Sequence, residues 1–434
     1  MGEAVSPFFD LEGETLDREL RAARQLARFQ ALLDEILPDN RFYASKLAGL
    51  DRVTSWQEFA ALPFTRKTEI SNDQIANPPF GTNLTYPLDR YVKLHQTSGT
   101  SGKAPIRWLD TEQSWQWWAR LWGHVYRGAG VGAGDRVFFA FSFGPFIGFW
   151  SAHEGARVVG AMAIPGGGMQ TQQRIDTLLA SKATALCCTP TYALRMAEEA
   201  GQTGIDLASS PIRATIHAGE PGASIPQVRE RLERLWGAQC HDHTGMTEIG
   251  ATGFTCQEQA GVHLIESEFI FEVIDPASGQ PVAPGGQGEL VITNLGRGCS
   301  PLIRYRTGDL VQLDVERCDC GRTFARMLGG ILGRADDMLL IRGVNVFPSA
   351  IEGIVREFAD VVEFRIEVTR QREMAEARLL LEPSPDRSND EANSMAALLS
   401  ETLRRRLLVR IPCEAVSPGT LPRFELKAQR IVKL

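Results

Sequence analysis

Apolar residues recur at helical spacing near the start of the chain. In ETLDRELRAARQLARFQALLDEIL, Leu16, Leu20, Ala23, Leu26, Ala27 and Phe29 fall near one face, which predicts an amphipathic helix. TSWQEFAALP predicts a short helix with a capping-box-like start at Thr54 and a stop at Pro63. Further on, strand and helix patterns alternate. DRVFFAFSF reads as a strand, IDTLLASKA as a helix, ATALCCTP as a strand and TYALRMAEEAG as a helix ending at Gly201. IRATIHAG is again a strand, and SIPQVRERLERLWG a helix ending at Gly237. This rhythm predicts a largely parallel sheet with helices on its faces.

The pattern changes after about Glu268. FIFEVIDPASGQPVAPGGQGELVITNL reads as strand, Gly/Pro-rich turns, strand, which predicts a smaller antiparallel or barrel-like portion. After Gly333 come DMLLIRG, a helix from Ser349, VVEFRIEVTR, EARLLLEP and the helix DEANSMAALLSETLRRRLL, an α+β unit with its own apolar set. The expected fold class is therefore α/β: a large N-terminal domain, 1–335, with mostly parallel sheets and a small β-rich portion, followed by a small α+β C-terminal domain, 336–434.

Composition narrows the function classes. The net charge of −7 argues against a general nucleic-acid-binding surface. The opening residues are acidic, with no apolar run after a basic start, and no stretch approaches roughly 18 uninterrupted apolar residues. No secretory signal and no membrane association are expected, and the expected location is the cytoplasm. Eight cysteines in a long chain of this kind predict reduced thiols rather than disulfides. Cys187 and Cys188 sit in an apolar run and read as core residues.

HQTSGTSGKAPIRW carries the first candidate chemistry. Thr97, Ser98, Thr100 and Ser101 supply hydroxyls, Gly99 and Gly102 let backbone N–H groups approach oxygens, and Lys103 adds a charge. The spacing is not that of a Walker loop, and no Ser or Thr follows the lysine to bind magnesium. PIRWL after it is strand-like, and a helix is expected to begin at Asp110 with Gln113 completing a capping box. The loop is thus expected to join two short strands and to close over phosphates.

TSGTSGKAP resembles the phosphate loop of the adenylate-forming superfamily, which includes acyl- and aryl-CoA synthetases. Four further stretches follow in that family's order: GMTE (Gly245 to Glu248), YRTGDL (Tyr305 to Leu310), GRADDMLLIRGVNVFPSAIE (Gly333 to Glu352) and LPRFELKAQRIVKL (Leu421 to Leu434). Within the superfamily the phrasing of CDCGRTFARMLGGILGRADDMLLIRGVNVFPSAIE, of PLIRYRTGDL and of the N-terminal FYASKLAGLDRVTSWQEFAALPFTRKTEI is most similar to the phenylacetate-CoA ligases. The resemblance implies a reaction in two halves. A carboxylate attacks the α-phosphate of ATP and releases pyrophosphate, and a thiol then takes the acyl group from the acyl-adenylate, leaving AMP.

It also implies roles. Thr97 to Lys103 would cover the β- and γ-phosphates, Thr247 would meet the α-phosphate and Glu248 would bind Mg²⁺. Asp309 would hold the ribose hydroxyls, with Arg334 adding a nucleotide contact. Gly219, Glu220 and Pro221 of HAGEPGA, with Thr244, Gly245 and Met246, would border adenine. Thr244 stands where the family often has an aromatic residue, with His241 and His243 nearby, so the packing against adenine is expected to differ. Lys427 would reach the carboxylate–phosphate junction, Asp336 would be the hinge of a swinging domain, and Gly343 and Val344 would line the thiol tunnel.

FSFGPFIGFW and IPGGGMQTQQR each follow a predicted strand, where α/β proteins open their ligand crevices. By resemblance both border the acid. Phe141, Phe143, Phe146, Gly148, Gly166 and Gly167 then form a pocket suited to a flat aryl ring. His153 and Glu154 are polar candidates beside it. Cys256, His263, Cys318 and Cys320, in C-x6-H and C-D-C-G, form a closed set of three thiols and one imidazole that suits a structural Zn²⁺.

The chain is therefore expected to activate an aryl acid with ATP and Mg²⁺ and to pass it to CoA, acting as a monomer or homodimer. Two other readings stay open at this point. One is a stand-alone adenylating enzyme that hands an aminohydroxybenzoate-type acid to a carrier-protein thiol or an amine in secondary metabolism. The other is a catalytically inactive nucleotide-binding regulatory protein.

Overall fold

The computed structural model describes residues 6–50, 52–97, 105–335, 339–341, 344–371, 374–424 and 430–434. Ser98 to Lys103, Asp336, Gly343 and Lys427 lie outside these residues. Two principal sheets carry the fold. The larger contains a parallel section ordered 162–165, 136–139, 185–188, 214–217 and 239–246, with helices in its crossovers. A short hairpin stands apart, its strands Tyr91–Gln96 and Arg107–Thr111 paired antiparallel. As the strand-like PIRWL predicts, the segment between them connects two strands.

The larger sheet does not break into a separate small barrel. Antiparallel pairing begins at Gly250–Thr255, earlier than the pattern change near Glu268 suggests. From there it runs through Val262–Leu264, Arg326–Met327, Tyr305–Asp314, Gln287–Asn294 and Phe269–Ile274. The tight turn after Met246 sends the chain straight back along its own strand, so one sheet is parallel at one end and antiparallel at the other. The sheet's last strand is Gly333–Arg334. Leu339–Ile341 begins the second sheet, which holds Val361–Gln371 and Met374–Pro383 as its long hairpin and Ile431–Lys433 as an edge strand. Its core, centred on Ile341, Ile351, Leu379 and Leu399, is distinct from that of the larger sheet.

Helix ends obey local rules. Trp236 ends the helix Pro226–Trp236, and Gly237 follows in the left-handed region at φ 58°, where a side chain would be strained. The helix in TSWQEFAALP is capped one residue later than the sequence suggests. Ser55, not Thr54, is the N-cap, and Glu58 closes the box by accepting from the N–H groups of both Thr54 and Ser55. The helix expected from Asp110 runs instead from Glu112 to Gly128, with the Thr111 hydroxyl accepting from the Ser114 N–H. Asp110 lies buried within the strand Arg107–Thr111, taken up by an ion pair with Arg297.

The N-terminal helix, Arg18–Ile36, buries a different face from the one its apolar spacing picks out. Phe29 is buried, but Leu20 is 61% exposed and Ala23 and Ala27 also face outward. Arg21 and Gln25 point inward instead. Arg21 donates to Glu266 (3.1 Å) and to the Thr323 carbonyl (3.0 Å), and Gln25 donates to the carbonyls of Glu266 and Phe269 (both 2.8 Å). These bonds satisfy polar groups that burial would otherwise penalise. Nearby, the fully buried Glu14 accepts from Arg322 (2.7 Å) and pairs with His124 Nδ1 (2.7 Å). Burial pushes the Glu14 carboxyl up, but His124 and Arg322 outweigh it and hold it below the ordinary glutamate value.

Candidate active site

The hairpin carries the phosphate-loop candidates. Thr97 closes its base: its N–H donates to the Ile106 carbonyl (3.0 Å), and its hydroxyl accepts from the Ile106 N–H (3.1 Å). The N–H of Gln96 donates to the Pro145 carbonyl at 2.9 Å, which ties the hairpin to the aromatic segment FSFGPFIGFW. Of the loop candidates Thr97 is described, and its described contacts are with the hairpin itself.

Thr247 and Glu248 lie on the turn between the strands Gln239–Met246 and Gly250–Thr255. The turn is held from below by Arg297. Arg297 Nη1 donates to the carbonyls of Thr247 (3.2 Å) and Glu248 (2.9 Å), while Nε and Nη2 form a two-pronged pair with Asp110 (2.8 and 2.7 Å). Both side chains are completely buried. The guanidinium also lies 5.5 Å from the ring centroid of Trp108 and 5.3 Å from that of Trp118. A buried charge of this kind persists only with such complete pairing. It links the strand leaving the phosphate loop to the turn bearing Glu248.

The Glu248 side chain is 10% exposed. Its Oε1 accepts from the Tyr305 hydroxyl (2.9 Å) and lies 3.7 Å from Lys67 Nζ. Tyr305 opens the strand that contains Asp309. Asp309 pairs with Arg334 (3.0 Å), which also donates to the Thr307 carbonyl (3.3 Å). Gly308 has φ 77°, and that left-handed step lets Asp309 turn its N–H back onto the Thr307 hydroxyl (3.0 Å). The two carboxylates named from the sequence are thus joined through one strand. Lys67 and Arg297 were not singled out by the sequence, and Asp110 was read only as a helix start; the spacing of the three carries no motif that would have marked them for this site.

On HAGEPGA, the adenine-side candidate, Gly219 has φ 94° and Glu220 accepts from the Thr191 N–H (2.9 Å) at the first turn of the helix Pro190–Gln202. A carboxylate there is favoured by the helix dipole. Thr244 pairs its hydroxyl with that of Thr252 (3.2 Å). His243 lies against Trp122, ring centroids 4.3 Å apart, with its Nδ1 2.8 Å from the Gly253 carbonyl. Burial pulls His217, His241 and His243 down to about 4, so all three rings are neutral near pH 7.

The acid-pocket candidates converge in part. Phe141 stacks on Phe149 (3.4 Å between centroids) and meets Phe143 edge-on (5.4 Å). Phe143 continues to Trp150 (4.6 Å) and His153 (5.7 Å). A Cβ at Gly167 would meet the Phe143 ring at 2.9 Å, and one at Gly166 would meet the Phe139 carbonyl at 2.7 Å, so both glycines are required by the aromatic wall. Phe146 is the residue before the helix Ile147–Val158, its ring 3.3 Å from where a Cβ of Gly144 would lie, and Gly148 opens to free space. His153 joins the wall. Glu154, suggested as a second polar anchor, instead pairs with Arg157 at 2.7 Å on the outer side of its helix. Val344 begins the strand Val344–Val346 and packs partly against the small domain's own core.

The structure brings Cys256, His263, Cys318 and Cys320 together, their ligand atoms all within 4.8 Å of one another. Cys256 and Cys318 sulfurs are 3.9 Å apart, and Cys320 Sγ is 3.5 Å from His263 Nε2. A tetrahedral zinc with ordinary bond lengths spaces two thiolates by about 3.8 Å and a thiolate and imidazole nitrogen by about 3.5 Å. His263 Nδ1 faces the Phe324 carbonyl (3.4 Å), which leaves Nε2 free to ligate. The donor set fits the metal.

Among the described residues no helix is long and apolar enough to cross a membrane. Residues 94–297 match the family model of AMP-binding enzymes, and residues 343–434 match that of the AMP-binding enzyme C-terminal domain. The chain is 31% identical to a phenylacetate-coenzyme A ligase of Thermus thermophilus, over 98% of both chains. It is 32% identical to one of Escherichia coli, over 86% of this chain and 84% of that one. Among solved structures it matches 2-hydroxyisobutyryl-CoA ligase in the postadenylation state in complex with 2-HIB-AMP. That match has a TM-score of 0.94 and 30% identity, over 100% of this chain and 94% of that one. The same ligase with 2-HIB-AMP and CoA in the thioesterification state, at the same identity and coverage, gives a TM-score of 0.75. With the folds of both domains, the Glu248 turn and the Asp309–Arg334 pair all in place, the chain belongs to the AMP-binding, adenylate-forming enzyme family, in the group of the phenylacetate-coenzyme A ligases.

Proposed function

We propose that this protein activates an aryl carboxylic acid with ATP and transfers it to the thiol of CoA. Adenylation followed by thioester formation is the chemistry of its family. A carboxylate oxygen forms a bond to the α-phosphorus as the bond to pyrophosphate breaks; the CoA thiol then forms the thioester as AMP leaves. One observation carries the reading best. Glu248 with Tyr305 and Asp309 with Arg334 are joined through the strand Tyr305–Asp314, where a nucleotide's phosphates and ribose can be held together.

In this reading Thr97 through Lys103 cover the outer phosphates, and Thr247 meets the α-phosphate. Glu248 holds Mg²⁺, which neutralises phosphate charge when bound. Asp309 takes the ribose hydroxyls, with Arg334 beside it, and Gly219 to Pro221 and Thr244 to Met246 flank the base. Domain 336–434 turns about Asp336, bringing Lys427 in for the first half and Gly343 and Val344 in for the second. Phe141, Phe143, Gly166 and Gly167, with Phe146 and Gly148 at the margin, receive the acid. The stacked rings favour a flat aryl substrate.

Pyrophosphate release measured across benzoates, phenylacetates, aminohydroxybenzoates and 2-hydroxyisobutyrate, each with and without CoA, tests this. Release with an aryl acid, accompanied by thioester, is expected. A preference for 2-hydroxyisobutyrate would overturn the aryl assignment. Pyrophosphate exchange without any thioester would point to a carrier-protein thiol or amine as acceptor.

We also propose that Cys256, His263, Cys318 and Cys320 bind one structural Zn²⁺. Arg322 donates to Cys320 Sγ (3.5 Å) and to Glu14, so the metal would brace the N-terminal segment. Elemental analysis of purified protein is expected to give about one equivalent of zinc, and Cys320→Ser to lose it with a lower unfolding midpoint. Less than about half an equivalent in protein never exposed to chelator would count against the site.

A further inference from the structure

We infer that Arg430 is a positioning residue that latches the C-terminal domain onto the large domain for adenylation. The inference rests on the function proposed above. Arg430 lies three places beyond Lys427, just before the edge strand Ile431–Lys433. Its guanidinium is fixed by its own domain. Nε and Nη2 engage the two oxygens of Glu363 (2.6 and 3.2 Å), and Nη1 donates to Glu352 (3.1 Å). The ring of Phe364 lies 5.2 Å from the guanidinium carbon. So held, Nη2 reaches across to the large domain and donates to the Thr191 hydroxyl at 3.3 Å.

Thr191 is not an arbitrary surface contact. Its backbone N–H donates to Glu220 of HAGEPGA, and the Glu220 charge acts on Arg430 as well. A continuous path therefore runs from the segment bearing Lys427, through Arg430 and Thr191, to the candidate adenine wall. The described domain arrangement is the one that matches the postadenylation state of a relative.

The arrangement has the balance a reversible latch needs. Among the described residues, Arg430's cross-domain part is one long hydrogen bond and the attraction of one carboxylate, both easily broken. The pairs with Glu363 and Glu352 move with the domain, so the guanidinium is never left buried and unpaired when it swings away. Losing the latch removes a contact made in the first half-reaction and leaves the second without a missing partner.

Two half-reactions read separately test this: ATP–pyrophosphate exchange with phenylacetate, or with the panel acid the wild type turns over, and thioester formation from the matching synthetic adenylate plus CoA. Arg430→Gln is expected to slow exchange about tenfold or more. Thioester formation should stay within about twofold of wild type. Thr191→Val leaves the Glu363 and Glu352 pairs intact and is expected to shift exchange in the same direction, about two- to fivefold. Equal losses in both half-reactions for Thr191→Val, or unchanged exchange in Arg430→Gln, would overturn the latch. Absence of exchange in the wild type with every acid would instead overturn the function on which it rests.

Discussion

Lys427→Ala is expected to lower ATP–pyrophosphate exchange by about two to three orders of magnitude, the usual cost of removing one group that stabilises developing charge. Described residues on both sides of Lys427 in the sequence are tied to the C-terminal domain. On one side, Glu382 accepts from the N–H groups of Gly419 (2.9 Å) and Leu421 (3.0 Å) and pairs with Arg423 (3.1 Å). On the other, Arg430 is locked to Glu363 and Glu352. Lys427 falls in the sequence between these two anchored stretches.

An ammonium delivered to the junction of carboxylate and α-phosphate offsets the charge that accumulates as their bond forms. In the proposed reading the same lysine has no task once the adenylate exists. Thioester formation from supplied adenylate and CoA should therefore persist in the variant, and its unfolding midpoint should match the wild type. Exchange at the wild-type rate would remove Lys427 from this role.

What the sequence disclosed and what it hid follow from the range of the interactions concerned. Strand and helix identities are set by local periodicity, and the strands and helices read between Asp135 and Gly237 emerged, but the structure adds the helix Ile147–Val158, whose start lies in the aromatic stretch read as pocket lining. The Cys/His cluster was visible because four uncommon ligands leave few other uses. The buried face of the N-terminal helix was not, because Arg21 and Gln25 are buried through partners about 240 to 300 residues away. An apolar pattern cannot report a polar face satisfied at that distance. Asp110 failed for the same reason. It looked like a local helix cap, yet Arg297, 187 residues on, claims it. The motif GMTE names Glu248, but its support by Arg297, Tyr305 and Lys67 exists only in the folded chain.

That support makes Glu248→Gln the sharpest test of the metal assignment. Glutamine keeps the volume and can still accept from the Tyr305 hydroxyl, and the Arg297 contacts are to backbone carbonyls that the substitution leaves untouched. The turn should hold its shape, so only the carboxylate charge is lost. Exchange is expected to fall about 10²- to 10³-fold at a fixed low Mg²⁺ concentration. The concentration of Mg²⁺ giving half-maximal exchange should rise, since a neutral amide is a weaker ligand for a hard cation than a carboxylate. Part of the rate should return as Mg²⁺ is increased. A variant that loses rate with an unchanged Mg²⁺ titration would assign Glu248 to holding Tyr305 and Lys67 in place rather than to the metal. The two explanations separate because an electrostatic ligand responds to the concentration of its ion, and a purely structural carboxylate does not.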